Sequence, residues 1–477
     1  MEYEPVIGLE VHAQLLTQSK LFCSCSTHFG ASPNSNVCPV CLGLPGSLPV
    51  LNGRAVQMAV SAALALGCSI RESSIFARKN YFYPDLPKGY QISQYEEPFS
   101  DNGYLDIEVD GERRRAGITR VHMEEDAGKN VHGVGGDSLV DLNRAGTPLI
   151  EIVGAPDLRS SAEAAAYLRA LRDILMFVGV NDGNLEEGSF RCDANVSIRP
   201  RGSSKFGTRA ELKNINSFRY VQRAIDVEIA RQTAILDAGG KVVQETRSFD
   251  PETGQTKTLR SKEDAHDYRY FPEPDLPPLR LEAAFIERTK SSLPELPEAA
   301  RERLTSAGIP AATAHTVTQH PGYLKFFDTL VQSSGSPVRA ANFFTNEVLR
   351  GAKSHGLSAT FTVNAAQVAE LLSLVEKQEI SGKQAKDVYA ALEGTERMPS
   401  AIVEERGMRV VSDEGALLAI CEGVVKRSPS QAAGYRSGKK GLLGYFVGQV
   451  MKETKGSGNP KLVSDLLERI LGQDEPS

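Results

Sequence analysis

The chain has 477 residues, 41% apolar, 24% charged and 7% aromatic, with a formal net charge of -6. That length predicts roughly two to four domains, and the composition excludes disordered, collagen-like and disulfide-scaffold classes as well as a globally basic nucleic-acid coat. No apolar run approaches the ~18–20 residues of a membrane span. Seven cysteines, with no basic-then-apolar leader in MEYEPVIGLEVH, predict reduced thiols in a cytoplasmic protein.

Residues 7–15 alternate strictly. Ile7, Leu9, Val11, Ala13 and Leu15 fall on one face, and Glu10, His12 and Gln14 on the other, as in a strand with one buried side. Cys23, Cys25, Cys38 and Cys41 follow as two close pairs around a loop rich in Gly, Asn, Pro and Ser. Such spacing can place four thiolates tetrahedrally around zinc in a closed, structural site. Four reduced loop thiols are the plainer alternative, disfavoured because free cysteine prefers burial. Cys68, Cys192 and Cys421 are isolated and read as core residues.

A helix is predicted over 53–66, capped by Asn52 and stopped at Gly67, with Val56, Ala59, Val60, Ala63 and Leu64 as its apolar face. Residues 122–126 read His-Met-Glu-Glu-Asp: three consecutive acids at a strand end, followed by Gly128 and Lys129. In 148–153, Glu151 sits inside an otherwise apolar strand. A buried carboxylate is costly unless it meets a metal, an arginine or hydrogen-bond donors. A second helix covers 161–178, with Ser160 and Glu163 as a capping box and Leu168, Leu171, Ile174, Leu175 and Val178 on one face. Residues 191–199 alternate again, Arg191, Asp193, Asn195, Ser197 and Arg199 against Cys192, Ala194, Val196 and Ile198. Arg209, Glu211 and Lys213 do the same against Ala210 and Leu212. A third helix covers 217–237. Beyond a turn at 250–254 and a proline-rich stretch from 271, residues 280–296 are predicted to be a linker. The pattern is helical over 297–405, and a small helical domain rich in Gly and Lys closes the chain.

Taken singly, each alternating strand is equally a half-solvated antiparallel sheet, and an acidic triplet is equally a solvated turn. Together, His12, Glu10, Glu125, Glu151, Asp193 and Glu211 offer hard oxygen ligands and one imidazole. That mixture suits Mg²⁺ with retained waters better than a second zinc. Lys79, Arg191 and Lys213 are placed to meet phosphate oxygens, so the pattern predicts phosphoryl transfer. No G-x4-G-K-[ST] loop, G-x-G-x-x-G helix start or G-x-S-x-G elbow is present, so an ATP site here is neither a P-loop nor a protein-kinase one.

Between 426 and 461 stand eight Lys or Arg and one acid, Glu453, a charge of +7 over 36 residues in a net acidic chain. Tyr435, Tyr445 and Phe446 are interleaved. Basic residues with aromatics suit contacts to RNA backbone and bases; a solvated helical face is the alternative. The apolar run Leu442, Leu443, Tyr445, Phe446, Val447, Val450 and Met451 reads as this domain's own core.

Several long motifs carry a resemblance: IGLEVHAQL at 7–15, RKNYFYPDLPKGYQISQY at 78–95, HMEEDAGK at 122–129, DLNRAGTPLIEIV at 141–153, RCDANVSIRP at 191–200, ELKNINSF at 211–218, DYRYFPEPDLP at 267–277 and GLLGYFVGQVMKET at 441–454. Over essentially its whole length the chain resembles the family of B subunits of bacterial aspartyl/glutamyl-tRNA amidotransferases. The resemblance implies an α+β protein. A cradle domain with an antiparallel sheet and a zinc-binding loop occupies 1–295. An all-α helical domain follows at 296–405, and a small all-α tRNA-binding tail at 406–477.

It implies ATP-dependent phosphorylation of the side-chain carboxylate of Glu or Asp esterified to tRNA, then amidation. The ammonia comes from an amidase-type glutaminase subunit, and a small third subunit completes a heterotrimer. It implies catalytic roles for His12, Glu125, Glu151 and Lys79, with Mg²⁺ on His12, Glu125 and Glu151 and Glu10, Asp193 and Glu211 as neighbours. Structural Zn²⁺ is implied on Cys23, Cys25, Cys38 and Cys41, and tRNA contacts at Arg436, Lys439, Lys440, Lys452 and Lys455. The alternative is a non-catalytic, zinc-stapled scaffold that holds tRNA. No glutaminase nucleophile is legible in the chain.

Overall fold

The alternation over residues 7–15 builds the central strand of a nine-stranded sheet. In the computed structural model, which describes residues 2–132, 137–261, 268–408, 414–454 and 458–472, that strand is β1, Tyr3–Gln14. Next come β2 (Ser69–Ile70), β3 (Ser73–Ser74), β4 (Ala77–Asn80), β5 (Tyr90–Ser93), β6 (Ser100–Val109), β7 (Glu112–Glu125), β8 (Lys129–His132) and β9 (Ser138–Asp141). Then follow β10 (Pro148–Gly154), β11 (Phe190–Pro200), β12 (Ala210–Ile215), β13 (Glu245–Asp250), β14 (Gln255–Ser261), β15 (Phe271–Pro272) and β16 (Leu279–Arg280). The large sheet runs β14-β13-β12-β11-β1-β10-β7-β6-β2. Its pairings are antiparallel except β12 with β13. There a helical crossover returns the chain in the same direction.

Ile7, Leu9, Val11 and Ala13 are all buried on the face covered by three helices. These are α1 (Gly53–Ala65), α2 (Ser161–Val178) and α3 (Phe218–Asp237). Asn52 caps α1 by accepting from Arg54 N–H and Ala55 N–H. Ser160 caps α2, but the reciprocal bond differs from the expected box. The Glu163 carboxylate accepts from Arg159 N–H at 2.7 Å, one residue earlier, because its other oxygen is drawn to Arg114 at 2.8 Å. The opposite face of the sheet is polar, and it carries the candidate site.

Residues 280–296 are not a linker. They contain α4 (Ala283–Ser291), whose Phe285 and Ile286 pack on the core; apolar side chains among the charges of ERTK supply enough of a face to fold against the first unit. A separate small sheet, β15-β4-β5, lies at the end of β7. Ser93 Oγ donates to Glu124 Oε2 at 3.1 Å, and Met123 N–H donates to the Gln94 side chain at 3.2 Å.

The chain divides into two compact units, one running from the N-terminus to Ala300 with His355–Leu357, the other comprising Arg301–Ser354 and Ser358 onward. Within 296–405, where the resemblance implies helix alone, Lys353–His355 and Ser358–Thr360 form a two-stranded sheet; the second unit is mainly helical. Its C-terminal part is a cluster of Glu414–Arg427, Pro429–Arg436, Leu443–Glu453 and Pro460–Gly472 around Leu417, Cys421, Phe446, Val450, Val463 and Leu467. Of the run expected to form this core, Phe446 and Val450 are buried, whereas Tyr445 is 40% exposed. Helical spacing places it on the outer face. No helix among the described residues is long and apolar enough to cross a membrane.

Candidate active site

Register assembles the site. On β1, His12 stands opposite Glu151 of β10 on one side and Arg191 of β11 on the other. Glu151 in turn stands opposite His122 of β7. Three adjacent strands thus present His12, Glu151 and His122 on one line of the polar face, and alternation along β7 adds Glu124 two residues on. His12 Nε2 lies 3.3 Å from Glu151 Oε2 and 3.5 Å from Glu124 Oε1. His122 Nε2 lies 3.6 Å from Glu151 and 3.9 Å from Glu124. One atom each from His12, Glu124 and Glu151 lies within 4.8 Å of the others, close enough to hold one metal ion. Among the described residues, buried His122 Nδ1 has no hydrogen-bond partner.

Of the carboxylates named from the sequence, Glu151 joins this group and Glu125 does not. Glu125 shares the parity of Val121 and Met123, which face the apolar core. It therefore points away from His12. Its carboxylate pairs with Lys88 and accepts from Ile92 N–H at 2.9 Å. Glu124 takes its place beside His12. The Val-His-Met-Glu parity at 121–124 carries the signal for that choice. Asp126, also buried, accepts from Gln14 at 2.7 Å and from Arg191 at 3.0 Å. Burial would raise its pKa, but Arg191 and Arg144 hold it below the ordinary carboxylate range.

Glu10, Asp193 and Glu211 lie further along the same face. Here a lysine supplies the positive charge. Lys213 Nζ lies 2.6 Å from Asp193 and 3.1 Å from Glu211, and Asn195 donates to Glu10 at 2.9 Å. Burial, then Glu151 and Glu211, push the Glu10 pKa up, against the pull of Lys213.

Lys79 of β4 reaches the other end of the row. Burial works against its charge, but Glu124 leads a group of neighbours, Glu151 among them, that raise its pKa above the ordinary lysine value. Its ammonium also lies 5.0 Å from the Tyr268 ring centroid. For Glu151 burial again opposes the charge, and His122, His12 and Lys79 overcome it, so the carboxylate sits well below its ordinary range. Two acids thus stand among polarisable imidazoles and one half-buried ammonium, a field that suits a divalent cation and an anionic ligand.

The four predicted cysteines also converge. Their sulfurs all lie within 4.8 Å of one another and can hold a metal ion. The Cys41 pKa falls to about 4, because the Cys23 thiol donates to its sulfur and, against burial, the Cys38 N–H and Lys20 add to the effect. Cys38 N–H lies 3.1 Å and Lys20 Nζ 3.5 Å from that sulfur. Lys20, which no sequence pattern singles out, is 1% exposed and also donates to Asn36 O at 2.7 Å.

Cys68, Cys192 and Cys421 are buried. Burial pushes the Cys68 thiol up to about 12 and Cys192 well above its ordinary value, so neither is an activated nucleophile.

In the tail, Arg436, Lys439, Lys440 and Lys452 are exposed, and Lys455 lies outside the described residues. Tyr435 and Phe446 are buried, so of the three interleaved aromatics Tyr445 alone is left exposed. Lys440 Nζ sits 4.2 Å over the Tyr435 ring.

Comparison with known proteins agrees across the chain. Residues 5–287 match the family described as the GatB/GatE catalytic domain, and residues 325–471 match the GatB domain. The chain is 56% identical over 478 residues to the B subunit of the aspartyl/glutamyl-tRNA(Asn/Gln) amidotransferase of Anaeromyxobacter sp. (strain Fw109-5), covering 99% of each. It is 54% identical to the protein of the same name from Geobacter sulfurreducens, over 99% of this chain and 100% of that protein. For the Myxococcus xanthus protein of that name the identity is 53%, over 99% of each.

Proposed function

Because the chain belongs to the GatB family of tRNA-dependent amidotransferase B subunits, we propose that it performs the ATP-dependent half of the amidation. The chain is a subunit of a ligase that acts on Glu-tRNA(Gln) or Asp-tRNA(Asn). In the proposed reaction, a carboxylate oxygen of the tRNA-bound Glu or Asp attacks the γ-phosphorus of ATP. The bond to the β-phosphate oxygen breaks, giving an acyl phosphate and ADP. Ammonia then displaces phosphate, and the amide forms.

The observation that carries this reading is the His12, Glu124 and Glu151 cluster on the polar sheet face. Its donor set of two carboxylates and one imidazole fits Mg²⁺, and the orphaned His122 Nδ1 beside it marks a site shaped for more than its own side chains. These three residues, with Glu124 replacing Glu125, would hold the ion. When bound, it offsets the repulsion between a carboxylate nucleophile and a triphosphate. Lys79 supplies a fixed positive charge to the transferred phosphoryl group. The imidazole of His122 holds Glu151 in place. Glu10, Asp193 and Glu211 stay as flanking residues of the site, held by Lys213.

The cysteine quartet fits structural Zn²⁺, a closed site of four sulfurs rather than a catalytic one. No glutaminase nucleophile is legible in the chain, and Cys68 and Cys192 are buried; the proposal therefore puts the glutaminase on another subunit, of amidase type, with ammonia delivered through an internal channel and a small third subunit completing the heterotrimer. Within this proposal residues 1–295 are catalytic, 296–405 helical, and 406–477 bind tRNA through Arg436, Lys439, Lys440, Lys452 and Lys455. A substrate of charged tRNA puts the protein in the cytoplasm.

The test is ATP hydrolysis by the chain assembled with its partner subunits, with and without Glu-tRNA(Gln), in Mg²⁺ and in EDTA. Turnover that requires both Mg²⁺ and charged tRNA is expected. Tight tRNA binding without such turnover would leave the chain as a zinc-stapled scaffold and move the phosphorylation elsewhere.

A further inference from the structure

The proposed reaction brings two adenine bases to one protein, that of ATP and that of the 3′-terminal adenosine of the tRNA. The chain has no phosphate-binding loop of known spacing to hold a nucleotide by its phosphates alone. A base in such a site needs a flat surface to stack on.

One pair of rings provides it. Tyr95 and Tyr270 lie parallel, 4.1 Å apart with 5° between their planes. Among the described residues the other ring pairs are tilted or edge-on. Tyr95 follows β5 and Tyr270 precedes β15, so the small sheet brings together two segments that are far apart in sequence. Tyr95 keeps 45% of its surface exposed. A ring that served only to pin residues 268–271 would gain more from full burial.

The stack is also wired to the acid cluster. The Tyr270 ring meets the Tyr268 ring edge-on at 6.1 Å, and Lys79 Nζ stands 5.0 Å from the Tyr268 centroid. The charges of Lys79, Glu124 and Glu151 all act on the Tyr270 phenol. A base on the outer face of Tyr95 is therefore joined to the ammonium that acts on Glu124 and Glu151 through a run of three rings, Tyr95, Tyr270 and Tyr268.

We propose that the Tyr95–Tyr270 stack is a binding platform for an adenine base of one of the two substrates. This inference rests on the function proposed above. The ligand chemistry is that of an adenine nucleotide, and its source, ATP or the tRNA terminus, is decided by experiment. Stacking is carried by Tyr95, the exposed ring. Tyr270 backs it and fixes its plane.

The chain contains no Trp, so Tyr95→Trp introduces a single indole at the platform. The full-length variant is titrated with ATP, with intact tRNA, and with the same tRNA lacking its terminal adenosine. Saturable quenching by ATP, or by intact but not shortened tRNA, is expected, and which of the two occurs identifies the source. In the assembled enzyme, Tyr95→Ala is expected to raise KM for that same substrate by roughly 10- to 100-fold. The other KM and kcat stay within about twofold, and Tyr95→Phe restores binding because a phenyl ring stacks as a phenol does. An indole silent to all three ligands while the wild-type complex turns over would overturn the platform and leave the proposed function standing. So would an alanine variant with both KM values unchanged, or a phenylalanine variant as impaired as alanine. Absence of ATP turnover in the wild-type complex would instead remove the functional reading, and the platform with it.

Discussion

The two ends of the polar row on the central sheet differ in what neutralises them. At one end, His12 faces Glu151 at 3.3 Å and Glu124 at 3.5 Å, with no lysine or arginine of the described residues bonded among them. At the other, Lys213 sits between Asp193 and Glu211, and Asn195 binds Glu10. Both ends are built from the same device, acids on the polar-face parity of antiparallel strands. Composition alone makes them equivalent; the lysine makes them different. At the Lys213 end an ammonium is bonded directly between two carboxylates, while at the His12 end imidazoles stand in contact with the acids and Lys79 acts on them through its charge from further off. On the proposed function, the contrast assigns the metal to the His12 end.

The largest expected effect tests that confinement. In the assembled enzyme Glu151→Gln and Glu124→Gln each lower Mg²⁺-dependent ATP turnover about 100-fold or more, because each removes a charge from the proposed ligand set. Both weaken Mn²⁺ binding, measured by isothermal titration, by a similar factor. Glu211→Gln leaves turnover within about tenfold and Mn²⁺ affinity within about threefold, since Lys213 still faces Asp193. Equal losses from Glu211→Gln and Glu151→Gln would erase the distinction between the two ends.

A second comparison lies on β7 itself. Adjacent residues Glu124 and Glu125 point to opposite faces, one toward His12 and one toward Lys88. Glu125→Gln therefore leaves Mn²⁺ affinity within about threefold while it strips Lys88 of its partner and lowers stability by about 1–3 kcal/mol. Thermal melting and Mn²⁺ titration on the same samples separate the two effects. A loss of metal affinity from Glu125→Gln as large as from Glu124→Gln would reverse the assignment of faces.

Much of this site is legible in the residue pattern alone. Strict alternation puts Glu10 and His12 on one side of β1, the apolar context of Glu151 marks a costly charge, and the cysteine spacing marks a closed centre. Parity against Val121 and Met123 also favours Glu124 over Glu125. It is obscured because three consecutive acids look interchangeable when read as a turn. Lys88, Lys20 and the Tyr95–Tyr270 stack are not legible. Each is delivered by a loop or a small sheet whose position depends on tertiary closure, and nothing local in sequence records a partner on a distant segment. The α4 helix is hidden by the prolines on either side of it, which punctuate a linker and a short helix alike.

The cysteine centre gives a smaller, structural effect. Cys38→Ser is expected to remove about one zinc per chain, read by elemental analysis, and to lower the melting temperature by roughly 10 °C, as loss of several kcal/mol would. ATP turnover at a temperature well below melting falls far less than in Glu151→Gln. This follows from a centre whose four sulfurs are all engaged with one another and leave no position for a reactant. Unchanged melting in a zinc-free variant would mean that the loop is held by Lys20 and its backbone acceptors alone.

The smallest effect belongs to the tail, and it repeats the contrast between charges that are balanced within the chain and charges turned outward. Arg427 is paired with Glu453, while Lys439 and Lys452 are exposed. Lys439→Ala and Lys452→Ala are expected to weaken tRNA binding about two- to fivefold each at about 0.1 M salt and to reduce the slope of log affinity against log salt by about one, the signature of one lost phosphate contact. Arg427→Ala leaves that slope unchanged, because its charge is already met by a carboxylate. The effect is small per residue because phosphate contacts act additively and without sequence information, so the slope, rather than the affinity at one salt concentration, carries the test. A Lys439→Glu variant with the wild-type slope would place the tRNA on another face of the tail.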